Sequence, residues 1–363
     1  MSTHTQRRRG HGPSEHVRSG QRGTPSWRAA VGAVAVAVAL AALLTACGGG
    51  SSSGPPAASS PGSAAGGGSG TVTNITLGYV PYSDDAALFY AQDGGIFRQH
   101  GLNVTFVAQA SPVAVEASMA SGTEQFGFVT TPVLINLNSK GVQVKCVSSV
   151  DGNEPSSDAN DSTVLVAAKG SGITSIKDLA GKNVAEVQLT SLNSLAVEVL
   201  AKRAGIDPAS VHLIAMPFPQ MPAALAQGRV QAAVIVAPFI GTALAEGAVP
   251  LIHPNVALFP NGTVTCLDVM GSYASAHAGV VAAFRAAMNE SIAYSQAHQS
   301  QAKATLASHL SLSPAQAQAQ ILSTNWDTTL NPDSITLIEG YMKEFGLITS
   351  EPPAASMIWT PGS

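Results

Sequence analysis

From residue 73 onward, short runs of β-branched residues alternate with helical stretches, and this alternation restricts the fold more than any other feature. The spacing of strand, helix and strand is typical of a parallel sheet covered by helices. The first half is predicted to contain strands at 71–80, Asn103–Ala108, Phe126–Val129 and Val142–Val150, and helices at 85–99, 112–121 and Pro132–Ser139.

The same pattern starts again after the polar segment 151–162, which lacks apolar core positions and is predicted to be a surface loop. The second part is predicted to contain strands at Asn183–Glu186, Val211–Ala215, Val234–Val236 and Thr263–Tyr273, and helices at 192–204, 219–227, 239–246, 276–297, 300–308, 313–323 and 332–345. A chain of 363 residues is long enough for two such α/β halves.

The first 70 residues have the composition of an export signal followed by a tether. Residues 7–28 are basic, and 29–46 form an uncharged Ala/Val/Leu-rich stretch that suits the apolar region of a signal peptide (1–46). It ends in Leu-Thr-Ala-Cys at Cys47, which resembles the lipobox of bacterial lipoproteins, in which the cysteine is acylated. An uncleaved anchor helix with a chance cysteine is the alternative. The Gly/Ser/Pro-rich segment that follows, within 47–72, is predicted to be a flexible linker.

Charge argues against a nucleic-acid partner. Six of the 18 Lys and Arg residues precede residue 47, which leaves 12 basic and 21 acidic residues from there on, a net charge of −9. Phosphate recognition needs clustered Lys and Arg. The remaining thiols, Cys146 and Cys266, are consistent with a disulfide in an oxidising compartment. Two buried free thiols are the alternative.

Several short motifs carry a family resemblance over roughly residues 73–350. They are Gly78–Pro81, Ala91–Phe97, His100–Val104, Ser121–Gly127, Ile176–Lys182, Met221–Gly228 and Ala282–Phe284. In this order and spacing they resemble type 2 periplasmic solute-binding proteins of ABC importers, in the branch for sulfonates, nitrate, taurine and pyrimidine precursors of thiamine.

This resemblance implies two lobes, each a mostly parallel sheet flanked by helices, joined by two crossovers with a ligand between them. The crossovers are expected near Ala168 and Gly262. The first lobe would therefore comprise 73–168 and 263–363, and the second lobe 169–262. Both remaining cysteines would lie on strands of the first lobe, which favours the disulfide.

Candidate ligand-binding residues follow from the rule that ligands lie beyond the carboxyl ends of the strands. They are Pro81, Tyr82, Ser83, Asp84, Ser111, Thr130, Thr131, Thr190, Ser191, Asn193, Phe218, Pro238 and Phe239. Ser111, Ser191 and their neighbours stand at helix starts, where ordinary N-capping is the alternative role. The family often has Glu-Pro where this chain has Ala237-Pro238, which removes an expected carboxylate from the pocket.

The candidate loops contain no Lys or Arg, which makes a free oxoanion a less favourable ligand. Asp84 and Asp85 favour a neutral, zwitterionic or cationic ligand, unless they only cap the next helix. The histidines of the body form no metal-ligand spacing, and no nucleophile elbow occurs.

We therefore expect no catalytic residues, metal or cofactor. The expected protein is a monomeric, lipid-anchored receptor outside the cell, which delivers a small organic nutrient to an ABC permease and its ATPase. A sensor for a membrane signalling partner and a secreted enzyme of the same fold are the alternatives.

Overall fold

The computed structural model describes residues 72–150, 161–259, 262–320, 322 and 328–362. The predicted signal peptide, Cys47, the linker and most of the polar segment 151–162 lie outside the described residues. Within the described residues, no helix is both long and apolar enough to cross a bilayer.

The described part of the chain contains ten strands and thirteen α-helices. The strands are β1 (Thr73–Tyr79), β2 (Leu102–Ala108), β3 (Phe126–Thr130), β4 (Val144–Ser148), β5 (Thr163–Ala167), β6 (Asn183–Glu186), β7 (His212–Ala215), β8 (Ala232–Val236), β9 (Val249–Ile252) and β10 (Thr265–Met270). The helices are α1 (Ala86–Asp93), α2 (Ile96–Gln99), α3 (Pro112–Ser121), α4 (Thr131–Ser139), α5 (Leu192–Arg203), α6 (Met221–Ala226), α7 (Phe239–Ala245), α8 (Pro254–Leu258), α9 (Gly271–Ala276), α10 (Ala278–Ala297), α11 (Gln299–His309), α12 (Pro314–Gln318) and α13 (Pro332–Glu344).

The strands form two five-stranded sheets, which confirms the predicted pair of α/β halves. The first sheet has the order β2-β1-β3-β10-β4, and the second has the order β7-β6-β8-β5-β9. We call the parts of the chain built on these sheets the first and second lobes. One strand in each sheet is antiparallel to both of its neighbours: β10 in the first sheet and β5 in the second. The other four strands of each sheet run in one direction.

The two reversed strands are the ones that follow the crossings between the lobes. The chain leaves the first lobe after β4 and enters the second at β5, then returns through 253–264 to β10. Thr163 on β5 pairs with Val236, and Thr265 on β10 pairs with Thr130, at the carboxyl ends of β8 and β3. The crossings therefore reach each sheet at the edge where the parallel strands end.

Several predicted boundaries are wrong. The prediction assigned residues up to 168 to the first lobe, but β5 pairs with β8 and β9, so Thr163–Ala167 belongs to the second. Strand β9 was not predicted at all. The strand predicted at Thr263–Tyr273 stops at Met270, where α9 begins. The helix predicted at 85–99 is two helices, because Gly95 adopts φ +73° and turns the chain between them.

Aromatic and aliphatic side chains fill the first lobe, where the buried rings of Phe126 and Phe284 stack with centroids 4.1 Å apart. A second apolar cluster lies within the second lobe around β5 and β8, both buried along their whole length. A third continues from the first lobe into the second, and it includes Val129, Val236 and Ile335. The sheets are thus joined by apolar packing as well as by the two crossings.

A disulfide joins Cys146 on β4 to Cys266 on β10, with Cα atoms 5.5 Å apart. Both cysteines are fully buried. These are the strands by which the chain leaves and re-enters the first lobe, so the bridge closes a covalent loop that contains the whole second lobe.

Candidate ligand-binding cleft

A small cavity lies between the two lobes, at the carboxyl ends of their strands. Its volume is about 40 Å³, enough for roughly three water molecules at 10–15 Å³ each. The lining residues are Tyr82, Asp84, Phe128, Val129, Thr130, Thr163, Leu192, Asn193, Val236, Asn255, Val264 and Thr265. Both lobes and the second crossing therefore contribute to its walls, and a larger solute enters only if the lobes separate.

Tyr82 lies at the centre of the first-lobe wall, in the loop after β1. Its ring meets Phe128 of β3 edge-on, with centroids 6.3 Å apart, and meets Phe218 of the second lobe at 5.6 Å. Its backbone N–H donates to Asp85 Oδ2 at 2.7 Å, which fixes the turn into α1. Tyr82 is thus part of the cavity wall and also part of the contact between lobes.

Asp84 and Asp85 have different roles although they are neighbours. Asp85 is fully buried, and its side chain accepts from Tyr82 N–H in the short turn before α1 but makes no capping bond to α1 itself. Asp84 instead lines the cavity and accepts a hydrogen bond from the Ser162 hydroxyl at the start of the second lobe. The backbone N–H of Ser83 donates to Ala237 O at 3.1 Å, a further contact between the lobes.

The second-lobe wall carries an amide pair. Asn255 Nδ2 of α8 donates to Asn193 Oδ1 of α5 at 3.5 Å. Asn255 Oδ1 and the hydroxyl oxygens of Thr130 and Thr265 are buried and have no hydrogen-bond partner among the described residues. A solute in the cavity can supply these partners.

The electrostatics around the cavity are acidic. Burial raises the pKa of Asp85 and of Glu186 well above the usual carboxyl values. Burial, followed by the negative charges of Asp85, Glu186 and Asp84, raises the pKa of Tyr82. None of the described lining residues is Lys, Arg or His.

The described chain contains one group of three His, Cys, Asp or Glu side chains close enough to share a metal ion. This group is Cys146, Cys266 and Asp268, and it is buried in the first lobe. Both sulfur atoms belong to the disulfide.

A family model described as NMT1/THI5 like matches residues 83–302, which include both crossings and most of the cavity wall. The chain belongs to this family. Among its relatives is a 4-amino-5-hydroxymethyl-2-methylpyrimidine phosphate synthase from Legionella pneumophila, 28% identical over 127 residues. That match covers 35% of this chain and 37% of the synthase.

Solved structures share the fold of this NMT1/THI5-like chain at low identity. The ligand-binding component of an ABC-type import system from Staphylococcus aureus, with zinc bound, has a TM-score of 0.68 at 18% identity, over 79% of this chain and 96% of that one. The alkanesulfonate-binding protein SsuA from Xanthomonas axonopodis, bound to MOPS, has a TM-score of 0.67 at 17% identity, over 79% and 98%.

The structure brings four of the predicted site residues of this NMT1/THI5-like chain together around the cavity. They are Tyr82, Asp84, Thr130 and Asn193. Three others, Pro81, Pro238 and Phe239, line a separate groove of about 1030 Å³ between α7 and the α11–α12 connection.

The side chains of the other predicted residues do not line the cavity and have hydrogen-bond or ring partners within the protein. The hydroxyls of Ser111 and Ser191 cap α3 and α5, and Thr131 donates to Thr263 O. Thr190 accepts from Gln188, Ser83 donates to Gln320, and the Phe218 ring packs on Tyr82.

Sequence reasoning missed the contributions of the two crossings. Thr163, Asn255, Val264 and Thr265 all lie in or beside these segments. A crossing has no strand-to-helix pattern, so the carboxyl-end rule did not select them. The polar side chains of Thr163 and Asn255, which lie outside the predicted strands and helices, were the available signal.

Proposed function

We propose that this chain is the extracytoplasmic solute-binding receptor of an ABC importer, which captures a small organic nutrient between its lobes. The observation that carries the proposal is the cavity itself, whose polar walls come from both lobes and the second crossing. In α/β folds this edge of the sheet is where ligands bind. Relatives of the same fold that bind solutes for ABC import support it.

The proposed mechanism is closure of the lobes around the solute. A ligand that contacts both lobes binds the closed state better than the open one and therefore shifts the population towards closure. The contacts that join the lobes in this structure include Ser83 N–H to Ala237 O, Tyr82 to Phe218, and Gln188 Nε2 to Glu116 Oε1 at 3.4 Å. We further propose that the permease receives the closed form.

The solute contacts that we propose are Tyr82, Asp84, Thr130 and Asn193, joined by Asn255 and Thr265. The proposed role is binding rather than catalysis, with the closing lobes, the permease and its ATPase completing transport. The lipid anchor at Cys47, the signal peptide at 1–46 and the monomeric state belong to the same proposal, and they place the receptor on the outer face of the cell membrane.

A thermal-shift screen of the full chain tests the binding function. The panel comprises organic amines, neutral heterocycles, amino-acid zwitterions, sulfonates and oxoanions. A ligand that binds only the folded state stabilises it by about 2.7 kcal/mol at a hundredfold excess over Kd. We expect a shift from one class of compounds.

The variant Asn255→Trp, which fills the cavity, should abolish this shift. Its matched control, Gln227→Trp at an exposed position of the second lobe, should keep it. No shift from any class, or a shift that survives Asn255→Trp, would overturn the proposal.

A further inference from the structure

The charged and polar groups of the cavity point to the charge of its solute. Asp84 is the charged side chain among the described lining residues, and it is only 7% exposed. A cation that enters this cavity meets a carboxylate, whereas an anion meets no positive side chain among those described.

The amide of Asn255 provides a second, independent observation. It is 7% exposed, lines the cavity, and leaves Oδ1 without a partner while Nδ2 is used by Asn193. A buried acceptor without a donor destabilises the folded chain, because it has lost its hydrogen bonds to water. Asn255 Oδ1 therefore calls for a solute that carries an N–H or O–H donor.

Two aromatic side chains complete the recognition surface. Tyr82 and Phe128 present their rings to the same cavity. Aromatic faces attract cations, and they also accommodate flat apolar groups. The carboxylate, the unpaired acceptor and the rings favour the same kind of ligand.

We propose that the cavity selects a positively charged solute with N–H donors over neutral or anionic solutes of the same shape. This inference rests on the binding function proposed above and adds the class of solute. Asp84 balances the charge, Asn255 Oδ1 accepts a hydrogen bond, and Tyr82 and Phe128 contact the flat face of the solute.

Two sets of isosteric compounds isolate charge from shape. Guanidinium, urea and nitrate are small planar groups of charge +1, 0 and −1, and benzamidinium, benzamide and benzoate repeat the series on a ring. Calorimetric titration of the full chain at constant ionic strength should rank the cation first. The cation should bind at least about tenfold more tightly than the anion, a difference of about 1.4 kcal/mol.

Two variants change the charge of the cavity in opposite directions. Asp84→Asn should remove the preference for the cation, while Asn255→Asp should strengthen cation binding and weaken anion binding. Glu290→Gln removes an exposed charge on α10 and should leave the ranking unchanged. If Asp84→Asn unfolds, the wild-type ranking of the two series still decides the question.

The outcomes separate this inference from the binding function. Tighter binding of nitrate or benzoate by the wild type, or a preference for the cation that persists unchanged in Asp84→Asn, would overturn the inference and leave a solute-binding protein. If neither series binds, the test is the charge of the compound that gives a thermal shift in the wider screen. A thermal shift from a sulfonate or an oxoanion would also overturn the inference. No binding by any compound would overturn both proposals.

Discussion

Gln188 Nε2 donates a hydrogen bond to Glu116 Oε1 at 3.4 Å, and so joins the segment after β6 in the second lobe to α3 in the first. Burial raises the pKa of Glu116, while the bond from Gln188 lowers it. This contact requires the lobes to be close together, whereas the contacts within each lobe do not depend on closure.

Gln188→Ala should therefore weaken solute binding by favouring the open state. A neutral hydrogen bond contributes about 0.5–1.5 kcal/mol, so we expect a rise in Kd of about twofold to tenfold, measured by calorimetry with the tightest-binding compound of the solute panel. Gln227→Ala, an exposed glutamine in the same lobe, is the control. Equal affinities for the two variants would show that the contact plays no part in closure.

The disulfide should stabilise the chain strongly, because Cys146 and Cys266 are 120 residues apart in sequence. Disulfides typically contribute about 2–4 kcal/mol, and the contribution increases with the length of the closed loop. Urea unfolding of the double variant Cys146→Ser/Cys266→Ser should show a loss of that size. A reductant should have the same effect on the wild type only after unfolding, since both sulfur atoms are buried. Unchanged stability of the double variant would contradict this account.

Much of the fold was predictable because strand and helix periodicity differ strongly in this chain. β5 was missed because Thr163–Ala167 is buried along its whole length and so lacks the alternation of a half-exposed strand. In the cavity, Tyr82 and Asp84 were predictable because they follow β1 directly. Asn255 was not, because the short helix α8 that carries it lies within a crossing.

Glu198 of α5 should make stability depend on pH. Burial raises its pKa from 4.5 to about 7, and Oε2 is buried without a partner among the described residues. Between pH 4.5 and 7 the folded chain therefore binds more protons than the unfolded chain, so the free energy of unfolding falls as pH rises through this window.

Glu198→Gln should reduce this fall and raise the free energy of unfolding at pH 8 by on the order of 1 kcal/mol. Chemical denaturation of the wild type and the variant at pH 4.5 and pH 8 measures these free energies of unfolding. Glu246→Gln, at an exposed position, is the control. If the free energy of unfolding of Glu198→Gln depends on pH as strongly as that of the wild type, the pKa of Glu198 is not raised.

Cys47→Ser should release the protein from the membrane or block its processing, since the thiol would be the acyl acceptor of the predicted lipobox. Cell fractionation followed by immunoblotting tests this. Thr45→Ser, which keeps a small residue in the same motif, should fractionate as the wild type does. A Cys47→Ser variant that stays in the membrane fraction at the processed size of the wild type would contradict lipidation at this position.

Capture of a solute between the lobes is tested most directly by hydrogen–deuterium exchange of the full chain, with and without the compound that gives the largest thermal shift. The account predicts protection in both lobes at the same compound concentration. In the first lobe it should appear after β1 around Tyr82, and in the second at the start of α5 and in α8 around Asn255. Protection confined to one lobe, or to segments away from the cavity, would contradict it.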